Sequence, residues 1–422
     1  MYPFLDNVYM RYKLSSDVRD RKSRFREKIQ ATTGHLCTGL GKIDTRFVEE
    51  AILGIAESGS VRLTSISRAL AEAISLHATH KRLSRNLAHV AVGEVLSKNL
   101  LFYGVRQVKD DSLLVLNLID VEKKYAKKMG FLGGIDADGS RRGYKMGEII
   151  AAKPLQQDFV KIVDGQEIIF PERDFVPLNQ ELWSSSAPDY SGDNQHILKL
   201  VGEIRSEIGA RGILVSTRQH DQRELLIPWS RSNVDRFIIR QRSESRLMYR
   251  NTQKTVDELI EYCGTPYGST VFILGGMESE YETDHFIHFG FLPVRLPELP
   301  QRTLSLVVVK GLEEPIALLT NEPMRRNRSV LQEVIKRYFI AWSVRATSRF
   351  MKNDYQFSDI RVLTYGRLKN MATLLSVMTY MDTWWPGGRA TIKGIRFDRR
   401  KRTQDTLTAY HQSSSRGKSQ RN

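Results

Sequence analysis

The run Leu113–Asp120 (LLVLNLID) is apolar at almost every position, and it constrains the fold more than any other stretch of the chain. A strand with one wet face alternates apolar and polar residues, whereas a continuous run needs cover on both faces. Neighbouring segments agree with a covered sheet. Gly130–Asp136 and Tyr144–Ala152 read as the next strands, joined through the turn sequence Asp136-Ala137-Asp138-Gly139. Two acids beside a glycine could suggest a calcium loop, but the remaining ligand positions are missing and a turn is the better reading. A helix over Gln195–Ile208 leads to a strand at Gly212–Thr217, then to another helix and a strand at Arg236–Arg240. From about Ser243 to Glu322 the chain is β-rich, and long helices follow at about Ser329–Met351 and Arg367–Tyr380. The expected fold is therefore an α/β mixed sheet with a late β-rich insertion.

Residues 1–105 read as helical instead. Arg46–Ser58 has apolar residues at helical spacing, and Thr64–Ile74 with His77–Leu87 gives a helix–turn–helix pattern. The second of these helices brings Lys81, Arg82 and Arg85 near one another, as a recognition helix would.

The net charge of +16 points to a polyanionic partner, and nucleic acid is the commonest one inside a cell. From Arg389 onward ten Lys or Arg face two Asp, with Arg399, Arg400, Lys401 and Arg402 as a compact cluster before Ser- and Gln-rich sequence. Such a segment cannot build a core and reads as a flexible basic arm for phosphates. No apolar run reaches the length of a membrane span and the start lacks a signal-peptide core, so a cytoplasmic, nucleoid-associated protein is expected. Cys37 and Cys263 are far apart and read as reduced thiols. Gly39-Leu40-Gly41-Lys42 fails the phosphate-loop pattern at positions 36 and 43. His285 and His288 read as packed histidines rather than a metal pair, and Trp384 and Trp385 as the edge of a core.

Three segments then carry a family resemblance. LNLIDVEKKYAKKMGFLGGIDADGS (116–140), VSTRQHDQRELL (215–226) and YFIAWSVRATSRFMKNDYQFSDIRV (338–362) resemble the three catalytic segments of the DDE transposases of bacterial cut-and-paste insertion sequences. The family's third segment bears Tyr-x2-Arg-x3-Glu-x6-Lys on one helix, which makes that match the most specific. The likeness runs over nearly the whole chain. It implies a ribonuclease-H-like mixed-sheet core over 106–242 and 324–385, a β-rich insertion over 243–323, a helical DNA-binding domain over 1–105 and a basic tail over 386–422.

In that family two aspartates and a glutamate hold two magnesium ions for phosphoryl transfer. Here the corresponding positions are Asn117, Thr217 and Arg345, and the signature arginine is Ala341, while Tyr338 and Lys352 remain. The resemblance thus implies a degenerate triad, a lost Mg²⁺ site and no other cofactor. It also implies DNA contacts from Arg218, Arg240, Arg242, Tyr338, Arg349 and Lys352, and a homodimer on DNA. The leading expectation is a transposase-derived protein that binds duplex DNA without cutting it. An active transposase or nuclease using shifted carboxylates such as Asp120 and Asp221 is the second reading. A scaffold that binds a protein partner through the insertion is the third.

Overall fold

A computed structural model of the chain describes residues 26–383, except 28, 125, 127, 137, 153–159, 164–165, 170–174, 218–222, 232–234, 274–282 and 325–326. The described residues fall into two compact units, one made of 26–99 with 354–383 and the other of 100–353. The domain bounds read from sequence place 1–105, 106–242 with 324–385, and 243–323 apart, whereas these two units divide the chain at 99/100 and 353/354. Trp384, Trp385 and the basic cluster Arg399–Arg402 lie outside the described residues.

The first unit begins with α1 (29–36), α2 (Lys42–Ser58), α3 (Leu63–Leu70), α4 (Leu76–Asn86) and α5 (Val90–Gly104), the last turns of α5 belonging to the second unit. Helix α2 buries Phe47, Val48, Ala51, Ile52 and Ile55, spaced three and four apart, as an amphipathic helix must. It stops at Gly59, whose φ of +61° lets its N–H return to the carbonyl of Ile55. Helix α3 is shorter than its sequence suggests. It ends at Leu70 because Ala71 turns left-handed, and α4 restarts from the Ser75 cap, whose hydroxyl accepts from the Ala78 N–H at 3.2 Å.

The second unit is built on one large sheet. Its elements are β1 (Leu113–Glu122), β2 (Gly133–Gly134), β3 (Arg142–Ala152), β4 (Val160–Val163), β5 (Gln166–Ile169), β6 (Phe175–Trp183), α6 (Asp193–Ile208), β7 (Ile213–Ser216), α7 (Arg223–Arg231) and β8 (Arg236–Arg240). There follow β9 (Arg246–Tyr249), β10 (Thr252–Thr255), α8 (Val256–Tyr262), β11 (Tyr267–Ile273), β12 (Thr283–Leu296), β13 (Leu299–Lys310), β14 (Ile316–Thr320) and α9 (Arg328–Asp354). Strands run side by side in the order β6–β3–β1–β7–β8–β14–β13–β12. The pairs β6·β3 and β3·β1 are antiparallel, and β1·β7 and β7·β8 are parallel. β4 and β5 form a separate hairpin. β1 lies in the interior of the sheet between β3 and β7, and its consecutive residues 113–117 are all buried, as an apolar run covered on both faces requires.

Two features depart from the sequence reading. The expected strand at Gly130–Asp136 shrinks to two residues, and the third long antiparallel strand is β6. Pro177 lies within β6 where the register against β3 shifts between Ile149 and Ile150, an irregularity that suits a residue with no N–H to give. The β-rich insertion is also no separate layer, because β14 pairs antiparallel with β8 and carries the same sheet on through β13 and β12.

Helix α9 covers this sheet. Leu331, Val334, Ile335, Tyr338, Ala341 and Val344 are buried in a core with Val115, Val215, Ile238, Val307 and Leu318. Near the other end, α6 is anchored by Asp193, which accepts from Trp183 Nε1 at 2.8 Å and Tyr190 OH at 3.1 Å and pairs with Lys145. Burial pushes the Asp193 carboxyl up, but these donors and the Lys145 charge outweigh it and hold the group below its usual range.

Helix α10 (Tyr365–Thr383) returns to the first unit. Its Asn370 is buried and donates from Nδ2 to the carbonyls of Leu87 and His89 at 2.9 and 2.8 Å, satisfying the turn between α4 and α5. Gly93 lets α10 come this close, since a Cβ there would collide with Asn370 Oδ1. Asn370→Ala strands two carbonyls and is expected to destabilise the chain by about 1–3 kcal/mol. Urea unfolding checks this, and an unchanged midpoint contradicts it.

Candidate functional site

The parallel register of β1 and β7 pairs Leu116 with Ser216, so the next residues, Asn117 and Thr217, stand at corresponding positions of adjacent strands. The helical spacing that buries Tyr338, Ala341 and Val344 carries the same face of α9 on to Arg345 and Ser348. Arg345 Nη1 donates to Thr217 Oγ1 at 3.1 Å. The three positions that the family resemblance singled out, far apart in sequence, therefore come together where two strands meet one helix.

A fourth residue joins them that the sequence reading missed. Glu148 is the antiparallel partner of Asn117 on β3 and is only 3% exposed. Its Oε1 accepts from Asn117 Nδ2 at 2.7 Å and from Ser348 Oγ at 2.6 Å. Asn117 and Ser348 are each 1% exposed. Two strands and a helix are thus tied by one buried carboxyl group, whose Oε1 is met by two side-chain donors. Asn117 Oδ1 has no hydrogen-bond partner among the described residues. The signal for Glu148 was available, since it is the lone charge in the apolar stretch Met146–Ala152.

Positive groups lie close by. Burial raises the Tyr338 hydroxyl above its usual range, and the charges of Arg240 and Arg345 pull against that rise. Tyr338 is 1% exposed, so it sits inside the core rather than on a surface. Arg240 approaches Glu314 at 3.8 Å, and Arg242 pairs with Glu244 at 2.6 Å. Asp120 lies three residues along β1 from Asn117, on the opposite face, and is approached by Arg141 at 3.8 Å. Arg218 and Asp221 lie outside the described residues, as do the side chains of Arg349 and Lys352.

In the helical unit, Lys81 and Arg85 are exposed on α4, but Arg82 is not offered to solvent in the same way. Its guanidinium pairs with Glu50 of α2 and, at 2.7 Å, with Glu72. Burial lowers the Arg82 pKa, and the two carboxylates more than reverse that, leaving it raised. Of the two histidines on β12, His288 is exposed and edges Phe286, and a spacing of three on a strand sends it to the face opposite His285. Among the described residues, no group of three or more His, Cys, Asp or Glu is placed to hold an ion. No helix among them is long and apolar enough to cross a membrane.

No family model and no curated protein matches the chain. Among solved structures, the chain is similar to one described as the cryo-EM structure of a piggyBac transposase synaptic complex with hairpin DNA. The TM-score is 0.44 at 12% identity, over 83% of this chain and 70% of that one.

Proposed function

We propose that the chain is a transposase-derived protein that binds duplex DNA without cutting it, on a ribonuclease-H-like scaffold whose catalytic acids have been replaced. The observation that carries this reading is the junction of Asn117, Thr217 and Arg345, with the Arg345 guanidinium bonded to the Thr217 hydroxyl. The resemblance assigned these positions from local motifs alone, and long-range pairing brings them together. The sheet order β6–β3–β1–β7–β8, antiparallel twice and then parallel twice, supports the same scaffold.

The residues present do not fit a two-magnesium centre. Magnesium takes hard oxygen ligands, carboxylates above all, and the three positions offer an amide, a hydroxyl and a guanidinium. A unit positive charge about 4 Å from a divalent ion is repelled by roughly 8 kcal/mol at an effective dielectric of 20. The nearby carboxylate, Glu148, is buried and already accepts from Asn117 and Ser348. The same guanidinium that repels a metal ion attracts a phosphodiester. In this reading Arg345, Arg240 and the basic tail give affinity, the amino-terminal helices give sequence preference, and a dimer engages paired sites on the nucleoid.

The test is plasmid binding and nicking by the full chain with Mg²⁺ or Mn²⁺. The natural protein is expected to retard the plasmid at every concentration tried and leave it supercoiled. Nicking that follows the protein through purification overturns the reading, and loss of that nicking in Asp120→Asn or Asp221→Asn locates the true acids.

A further inference from the structure

The helical unit contains a cleft of about 580 Å³ between the start of α3, the middle of α4 and the segment 359–367. Its charged lining is Arg62, Asp359, Arg361 and Arg367, with His80 and the hydroxyls of Thr64 and Ser84 beside them. Three guanidinium groups therefore meet one carboxylate. Two of the three are held in place: Arg62 Nη2 pairs with Asp359 Oδ2 at 2.9 Å, and Arg367 Nε donates to the Ser84 carbonyl at 2.8 Å. Arg361 is exposed, and among the described residues neither it nor His80 has an ion pair. Leu363, 67% exposed, adds an apolar lip.

Unbalanced guanidinium charge in a concave site selects anions, and the planar fork of arginine matches phosphate oxygens two at a time. Side chains already fixed by their own bonds lose little freedom when the anion arrives. The volume suits a nucleotide-sized group, and an apolar lip beside the cations suits a sugar or base attached to the phosphate better than a bare ion. We propose that this cleft is a phosphate site, with Arg361 as the group that closes on the anion and a backbone phosphodiester of duplex DNA as its source. The choice of source rests on the DNA-binding reading; the phosphate chemistry does not. The cleft is distinct from the α4 positions Lys81 and Arg85, which do not line it.

The full chain is treated with phenylglyoxal alone, with a 30-base-pair duplex and with ATP, and the Arg361 adduct is followed by mass spectrometry. In parallel, duplex affinity is measured across salt for the natural chain, for Arg361→Gln with His80→Gln, and for Lys98→Gln as a surface control. The duplex is expected to protect Arg361. The double variant should bind about three- to tenfold more weakly at low salt with a log–log slope shallower by about one, the control being unchanged. Protection by ATP but not duplex keeps the phosphate site and overturns DNA as its source. Absence of protection by either ligand overturns the site. A natural chain that binds no DNA while ATP protects Arg361 overturns the DNA-binding reading and leaves the site standing. A variant that binds duplex as well as the natural chain overturns the DNA source alone if ATP still protects.

Discussion

Asn117→Asp, which places on β1 the aspartate that the sequence resemblance implies for this position, is expected to destabilise the folded chain by about 3–4 kcal/mol at pH 7. The amide Nδ2 that donates to Glu148 Oε1 at 2.7 Å becomes a second acceptor. Both positions are almost fully buried, so the two carboxylates can neither separate into water nor both stay ionised. One keeps a proton that the same group loses near pH 4 in the unfolded chain. Each unit by which that group's folded pKa is raised costs about 1.4 kcal/mol once the pH exceeds it. The sign follows: above pH 4 the native state of the variant binds more protons than the unfolded state, so its stability falls as pH rises. Urea unfolding from pH 4.5 to 8 should show the gap from the natural chain widening with pH. A loss of constant size across that range, or none, sinks the account. The natural asparagine thus completes a network that an aspartate suits only with a cation present.

The parts of the fold visible in the sequence are those fixed by neighbours along the chain. The apolar runs of β1 and β7 and the periodicity of α9 all became the expected elements within a few residues. What stayed hidden depends on distant partners. β6 was missed because Pro177 and a register shift interrupt its pattern, and nothing local says that β3 will pair with it. Helix α8 had a legible signal that was not used, the capping box in which Thr255 and Glu258 satisfy each other's backbone N–H groups. The continuation of the sheet from β8 into β14 is a matter of strand pairing, which composition does not encode.

The site divides in the same way. Asn117, Thr217 and Arg345 were reachable because motif spacing marks them, and their union follows from strand register and helix face. Glu148 escaped because its role exists only across a β-ladder, opposite Asn117. Arg82 looked like one of three equivalent cations, yet only the packed unit reveals Glu50 and Glu72 beside it. Tyr338 likewise matched a motif, and its burial is decided by the sheet that α9 covers.

Duplex affinity of the natural chain is expected to fall by about a thousandfold between 50 and 200 mM salt. Each phosphate neutralised by Lys or Arg releases condensed counterions, and six such contacts give a log–log slope near −5.4. The chain carries +16, and half of that excess lies after residue 388. Long-range attraction between folded surface charges fades beyond about 10 Å at 0.1 M salt, so contacts rather than overall charge must set the slope. Replacing Arg399, Arg400, Lys401 and Arg402 together by glutamine removes up to four contacts without altering the described fold, and the slope should become shallower by about three to four. An unchanged slope in that variant assigns the contacts to the folded units, with Arg345 and Arg361 the first cations to test. Affinity of the natural chain that hardly varies with salt removes phosphate neutralisation as the basis of its binding, and with it the reason a guanidinium at position 345 would favour DNA.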